Sequence, residues 1–205
     1  MDTIQKLAAH FAQFPGIGAR QSKRFVYFLL KKDRAYLHEL VTLIKSLEDS
    51  VLECTRCHRY FMKKYKEATA ECSVCTNPER SKNILMVVEK DSDLEAVERS
   101  AVYKGSYFIL GGTLPILEKN PESKIRIREL ETLIEKEKDV ITEIILACAV
   151  TPESEHTAEY VHAAILPIAE RSHITLTALG RGLSTGTELE YSDADTLRFA
   201  LEGRK

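Results

Sequence analysis

Four cysteines in two pairs, Cys54-Thr55-Arg56-Cys57 and Cys72-Ser73-Val74-Cys75, constrain this chain more than any other feature. Two cysteines separated by two residues can turn both sulfurs to the same side of a tight turn. Two such turns supply four thiolates in a tetrahedron, the arrangement Zn²⁺ takes in structural sites. The 14 residues between the pairs fall just short of the usual ribbon spacing, but they need only loop back. Disulfides, the other use of paired cysteines, belong to oxidising compartments. The N-terminus, MDTIQKLAAHFAQF, carries polar residues throughout and reads as no secretory signal. No apolar run approaches the ~20 residues that span a bilayer. The expected setting is cytoplasmic, with no membrane partner. With cysteine at all four positions, no ligand position is left open for water. Zinc held by Cys54, Cys57, Cys72 and Cys75 is therefore expected to be structural, holding together a segment too small for its own core. His58 adjoins the first pair; as a fifth ligand it is superfluous, and it is expected at the surface.

Before the cysteines the pattern is helical. Ile4, Leu7, Ala8 and Phe11 recur at helical spacing behind Asp2 or Thr3 as a cap. Pro15 ends that helix. A second begins near Arg20 with Phe25, Phe28 and Leu29 on its apolar side, and a third runs from about Ala35 to Leu52. The unit joining the first two is FPGIGARQSKR. Gly16 and Gly18 permit a tight turn and close approach of backbone to a ligand. The second helix then points free N–H groups and its positive dipole end at that ligand. Arg20, Lys23 and Arg24 add cations within one turn. A helix-hairpin-helix holds a nucleic-acid phosphate in this way, without reading sequence. The stretch RYFMKKYKE, Arg59 to Glu67, alternates basic and aromatic residues; it could touch DNA or pack the zinc module.

Charge divides the chain in the same place. Residues 1–80 carry 14 Lys/Arg against 9 Asp/Glu, and residues 81–205 carry 15 against 22, so a net charge of -2 hides a basic front and an acidic back. That asymmetry suggests different partners for the two halves, a polyanion for the first.

After Cys75 the polar linker TNPERSK leads to a new period. ILMVV, Ile84 to Val88, reads as a strand covered on both faces. Further strands are expected at Tyr107–Leu110, within ITEIILACAV (Ile141 to Val150) and at Ile174–Leu179. Helices are expected from Ser92 to about Ser100, from about Lys124 to Lys138, and from Thr157. Alternating strands and helices imply a mainly parallel sheet with right-handed crossovers. Ligands on such sheets sit beyond the strands' carboxyl ends. Glu89 ends the first of these strands, while Glu153 and Glu155 follow the third in a loop. Cys148 reads as a small buried hydrophobe. GLSTGTE, Gly182 to Glu188, could cradle an anion on backbone amides; lacking the Lys of a P-loop, it reads rather as a structural or interface turn.

These motifs together resemble the family of the bacterial recombination mediator RecR. The resemblance is carried by FPGIGARQSKR, the two cysteine pairs, VVEKDSDLEAVE, YFILGG, TPESEHTAEY and GRGLSTGTELEYSDADTLRFALEGR, which span almost the whole chain. It implies an α/β protein of four parts: a helix-hairpin-helix over 1–52, a zinc-finger module over 53–80, a toprim domain over 81–180, and a C-terminal Gly-rich segment and helix over 181–205. It also implies a protein that is no enzyme but a DNA-binding mediator of recombinational repair. Members assemble with themselves, as a dimer or a tetramer ring, grip DNA without sequence preference, and help RecO-like and RecF-like partners load the recombinase. The match is altered after the third toprim strand, where Cys148-Ala149-Val150 replaces the family's Thr-Asn-Pro, and Ser154 and His156 replace a Gly and an Ala. The loop after Gly112 also departs, TLPILEKNPESK lacking the family's Gly-rich tail.

Toprim folds also serve nucleases, primases and topoisomerases through bound Mg²⁺, so the alternative is a Mg-dependent enzyme acting on DNA. Glu89, Glu153 and Glu155 are expected to converge at the sheet's carboxyl end, as a site for Mg²⁺ or for a protein partner. Strand scission also needs an activated nucleophile, for which only His156 and Tyr160 are near in sequence. The expectation is an acidic partner-binding surface, with Mg²⁺ weak or absent.

Overall fold

Asp2 starts the first helix, α1 (Thr3–Phe11): its carboxylate accepts the Gln5 N–H at 2.8 Å while the Gln5 side chain takes the Asp2 N–H. This reciprocal arrangement satisfies two of the helix's orphan donors. The structure, a computed structural model, describes residues 1–63, 70–118, 120–180, 182–183, 186 and 188–203. It divides into two units, Met1–Val51 and Leu52–Lys205. In the first, α1 packs on α2 (Ala19–Leu30) through buried Ala8 and Val26. The Phe11 ring meets Phe25 edge-on at 5.7 Å and 85°, a favoured aromatic geometry. α3 (Arg34–Ser50) begins at Asp33, whose carboxylate accepts the Tyr36 N–H at 2.8 Å. It stops at Ser50 rather than Leu52, because Val51 is already extended and opens β1 (Val51–Glu53). With β2 (Tyr60–Met62), β1 makes a two-stranded sheet.

The second unit is built on a four-stranded sheet in the order β4-β3-β5-β6. β3 (Ile84–Val88) lies between β4 (Ser106–Ile109) and β5 (Glu143–Ala147), and β6 (Thr175–Ala178) pairs with β5. Every pairing is parallel, with Val87 opposite both Phe108 and Leu146. The period of two separates two cores. Leu85, Val87, Phe108, Leu110, Ile144 and Leu146 face one layer, made by α5 (Ile127–Glu137) and α6 (Pro152–Arg171) through Leu130, Ile134, Val161 and Ile165. Met86, Val88, Tyr107, Ile109 and Ala147 face the other. There Leu94 of α4 (Asp91–Ser100) and the four cysteines cover the sheet together. The continuous apolar run of β3 follows from this burial on both faces.

Two differences from the expected elements bear on the site. α6 begins at Pro152, not Thr157. Thr151 caps it by accepting the Ser154 N–H at 3.2 Å, and Pro152 occupies the first turn, where its missing N–H costs nothing. Glu153 and Glu155 therefore lie in the first turn of a helix rather than in a loop. A short 3-10 turn, Pro121–Ser123, precedes α5, which starts at Ile127 rather than near Lys124. α7 (Ala194–Glu202), capped by Asp193, closes the chain after a second 3-10 turn at Leu189–Tyr191. No helix is long and apolar enough to cross a membrane among the described residues. Residues 64–67 of RYFMKKYKE, and residues 184, 185 and 187 of GLSTGTE, lie outside the described residues.

Candidate functional site

Cys54 and Cys57 open one tight turn and Cys72 and Cys75 the other. The His58 N–H closes the first on the Cys54 carbonyl at 2.9 Å, and the Thr76 N–H closes the second on the Cys72 carbonyl at 3.1 Å. His58, next after the first pair, takes φ 61°, the left-handed step that lets the chain leave the turn. The four sulfurs come together within 4.8 Å of one another. Cys54 Sγ lies 3.7 Å from Cys75 Sγ, and Cys57 Sγ 3.6 Å from Cys72 Sγ. A tetrahedron with Zn–S bonds of about 2.3 Å has sulfur–sulfur edges of about 3.8 Å. Donor type, number and spacing thus fit Zn²⁺ with all positions filled. The Cys72 N–H points at Cys54 Sγ from 3.3 Å, an orientation that favours a thiolate there. Contacts among the sulfurs, first that with Cys57, hold the Cys54 thiol far below its usual range, while the same contact pushes Cys57 up.

The module clasps the edge strand β4 from both sides. The Ile109 N–H of that strand is given to the Cys57 carbonyl at 2.9 Å, so a donor on an open sheet edge is satisfied by the knuckle. The His58 ring packs edge-on against Phe108 at 5.2 Å, and its Nδ1 pairs with Glu53 at 2.7 Å. His58 is thus part of the docking contact and not the surface residue expected. Glu53 in turn meets Arg126 Nη2 at 3.3 Å, at the start of α5. The Tyr60 N–H donates to Asp91 at the head of α4 at 2.9 Å. Gly111, at φ 92°, lies under the Arg126 guanidinium, where an added Cβ would come within 2.4 Å of it.

The carboxylates do not gather in the same way. Glu89 is 3% exposed at the end of β3, and its Oε1 accepts the Ala149 N–H at 3.0 Å. It clamps the chain between β5 and α6. Glu153 is exposed and Glu155 half-buried on α6. Among the described residues the four cysteines are the only group of three or more metal-ligating side chains within 4.8 Å of one another. Glu89, Glu153 and Glu155 form no such group. Glu89→Ala is expected to lower stability by about 1–3 kcal/mol, the cost of leaving the Ala149 N–H without its partner, and Glu89→Gln by less because an acceptor remains. Urea midpoints at constant m-value measure both. Equal losses would mean that the clamp is not made by that oxygen. Cys148, beside Glu89, is half-buried; burial first, then the Glu89 and Asp93 charges, push its thiol up to about 12. It remains protonated and unreactive at neutral pH.

In the first unit the hairpin turn is exposed. Gly16 takes φ 74°, and the Ile17 N–H closes the turn on the Phe14 carbonyl at 3.0 Å. Gly18 is the N-cap of α2 and offers no side-chain bond to the first-turn amides, whereas Asp2 and Asp33 cap α1 and α3. Space around both glycines is open. Arg20, Lys23 and Arg24 are exposed on the turn that follows, with Arg24 bonded to Gln21 at 3.1 Å.

A parallel sheet between helical layers carries at its edge a four-cysteine module able to hold a metal ion. Residues 83–178 match the Toprim domain model, and residues 182–205 match the model of the RecR C-terminal region. The recombination protein RecR of Herpetosiphon aurantiacus is 36% identical over 205 residues, covering 100% of this chain and 94% of that protein. That of Prochlorococcus marinus is 35% identical over 203 residues, 98% of this chain and 94% of its own. That of Dehalococcoides mccartyi is 34% identical over 203 residues, 98% and 93% of the two chains. The chain belongs to the family of recombination protein RecR.

Proposed function

We propose that this chain is a non-catalytic mediator of recombinational DNA repair that binds DNA without sequence preference. The carrying observation is the exposed Gly16–Gly18 turn, which opens α2 with no side chain over its amides and with Arg20, Lys23 and Arg24 beside it. A phosphate oxygen is the ligand such a helix start accepts. The four parts read from the sequence then divide the work. The hairpin of 1–52 meets DNA, the zinc module of 53–80 and the toprim domain of 81–180 form the body, and 181–205 joins copies. Self-assembly into a dimer or tetramer ring is supported by α3, which has no buried residue and exposes Val41, Leu43, Ile44 and Leu47. The chain as a whole carries a charge of -2, so tight binding to DNA relies on several subunits acting together through effective concentration. Glu153 and Glu155 present acid to a RecO-like or RecF-like partner in the cytoplasm, and the recombinase is loaded with their help. That Glu89, Glu153 and Glu155 form no cluster of ligating oxygens within 4.8 Å of one another supports this reading over Mg²⁺-dependent scission.

The test is DNA binding by the purified protein across a salt series. Arg20→Ala with Arg24→Ala is expected to weaken binding alike for all sequences, and to flatten the salt slope by about 0.9 for each phosphate that is no longer neutralised. An unchanged slope moves the DNA site elsewhere. Glu153→Ala with Glu155→Ala is expected to leave DNA binding intact and abolish partner capture. Mg²⁺-dependent nicking by the wild type that disappears in this second variant overturns the non-catalytic reading.

A further inference from the structure

Inside the first cysteine turn sits a cation that belongs to two layers at once. The Arg56 side chain is only 10% exposed. Its Nε donates to Glu137 Oε1 at 2.9 Å and its Nη2 to Glu137 Oε2 at 2.6 Å, a forked pair with the last residue of α5. Its remaining Nη1 lies 3.9 Å from Cys75 Sγ. One guanidinium therefore touches both the sulfur cluster, which covers one face of the sheet, and the end of α5, which covers the other.

Four thiolates around a divalent ion leave an excess of negative charge in a buried place. Such charge is costly unless donors meet it. An N–H aimed at a bound sulfur offsets it, which opposes loss of the metal. Lysine cannot do the same, since a point charge lacks the planar fork that holds both Glu137 oxygens while a further N–H faces the sulfur. Glu137 in turn fixes the guanidinium, so neither partner acts alone.

We infer that Arg56 is a positioning residue that couples retention of the metal to docking of the cysteine module on α5. The inference rests on zinc occupying the four-cysteine cluster. Zinc seated in the cluster holds the turn that carries Arg56 against Glu137, and the seated pair slows zinc release.

Zinc release from the full-length protein to a chromogenic chelator, at a temperature well below unfolding, tests this. Residues beside metal ligands that orient them are worth on the order of 10–100-fold in metal affinity, so Arg56→Gln is expected to release zinc at least about tenfold faster than wild type. Arg56→Lys and Glu137→Gln should fall between. The double variant Arg56→Gln with Glu137→Gln should match Arg56→Gln alone, because the two act as a unit. Ile165→Val, a core change on α6, supplies a control of lowered stability that should release zinc at the wild-type rate. Wild-type protein without zinc defeats the reading of the cluster itself. Zinc-bearing wild type with equal release from Arg56→Gln defeats the role of Arg56 alone. If Arg56→Gln does not fold, Arg56→Lys and Glu137→Gln decide it, and wild-type rates in both overturn the inference.

Discussion

Cys54→Ser is expected to abolish metal binding and to remove most soluble protein. The Cys54 sulfur is fully buried, accepts the Cys72 N–H at 3.3 Å and stands 3.7 Å from Cys75 Sγ. A serine hydroxyl stays protonated at neutral pH and is a poor zinc ligand, so three cysteines would be left with an incomplete set of donors. Structural zinc sites contribute about 10–16 kcal/mol of apparent binding free energy, against a net stability of about 5–15 kcal/mol for a whole domain. Loss of the metal is therefore comparable to the whole stability of a domain. The damage is not confined to a small finger, because the cysteines form part of the cover over Met86, Val88, Tyr107 and Ile109. The toprim sheet should lose that cover together with the metal. Metal analysis should give about one zinc per wild-type chain, and a strong chelator should lower the melting temperature of the whole second unit. A metal-free wild type that melts normally in chelator rules this out.

The extent of this coupling is not written along the chain. The cysteine pairs are legible because two-residue spacing has a local geometric meaning. The strand at Ile84–Val88 is legible because burial on both faces leaves a continuous apolar run. Nothing local marks Arg56 as the partner of Glu137, 81 positions on, or His58 as the neighbour of Phe108. Those pairs meet only once β4 has become the sheet edge that the module clasps. The start of α6 is a different case. Thr151 followed by Pro152 is a helix-start signal, but the two carboxylates after it suit a loop as well. The structure puts them in the first turn of a helix, and among the described residues they form no group of three ligating side chains with Glu89 within 4.8 Å. The three-residue strands β1 and β2 carry too few positions to show a period. Val51 and Leu52 instead continue the apolar pattern of α3.

The second large effect is expected at Phe108. Its ring is fully buried against Leu130 and Ile134 of α5 and the sheet residues beside it, and His58 caps it at 5.2 Å and 70°. Phe→Ala in a packed core costs about 3–5 kcal/mol, the lost transfer free energy plus the cavity left behind. Here two further features push toward the upper end. β4 is an edge strand, held by hydrogen bonds from β3 on one side and by the Cys57 carbonyl on the other. Among the described residues no second strand keeps it in place if its side chain is removed. The ring is also the surface on which His58 rests, so its loss loosens the turn that carries Cys57 and Arg56. Phe108→Ala should therefore lower the urea midpoint with little change in m-value, and it should also speed zinc release, unlike Ile165→Val on α6. A Phe108→Ala protein destabilised by the expected amount, but releasing zinc at the wild-type rate, would show that His58 holds its place without the ring. The docking of the module would then rest on its other contacts, the Arg56–Glu137 fork, the Ile109–Cys57 and Tyr60–Asp91 hydrogen bonds and the Glu53–Arg126 pair.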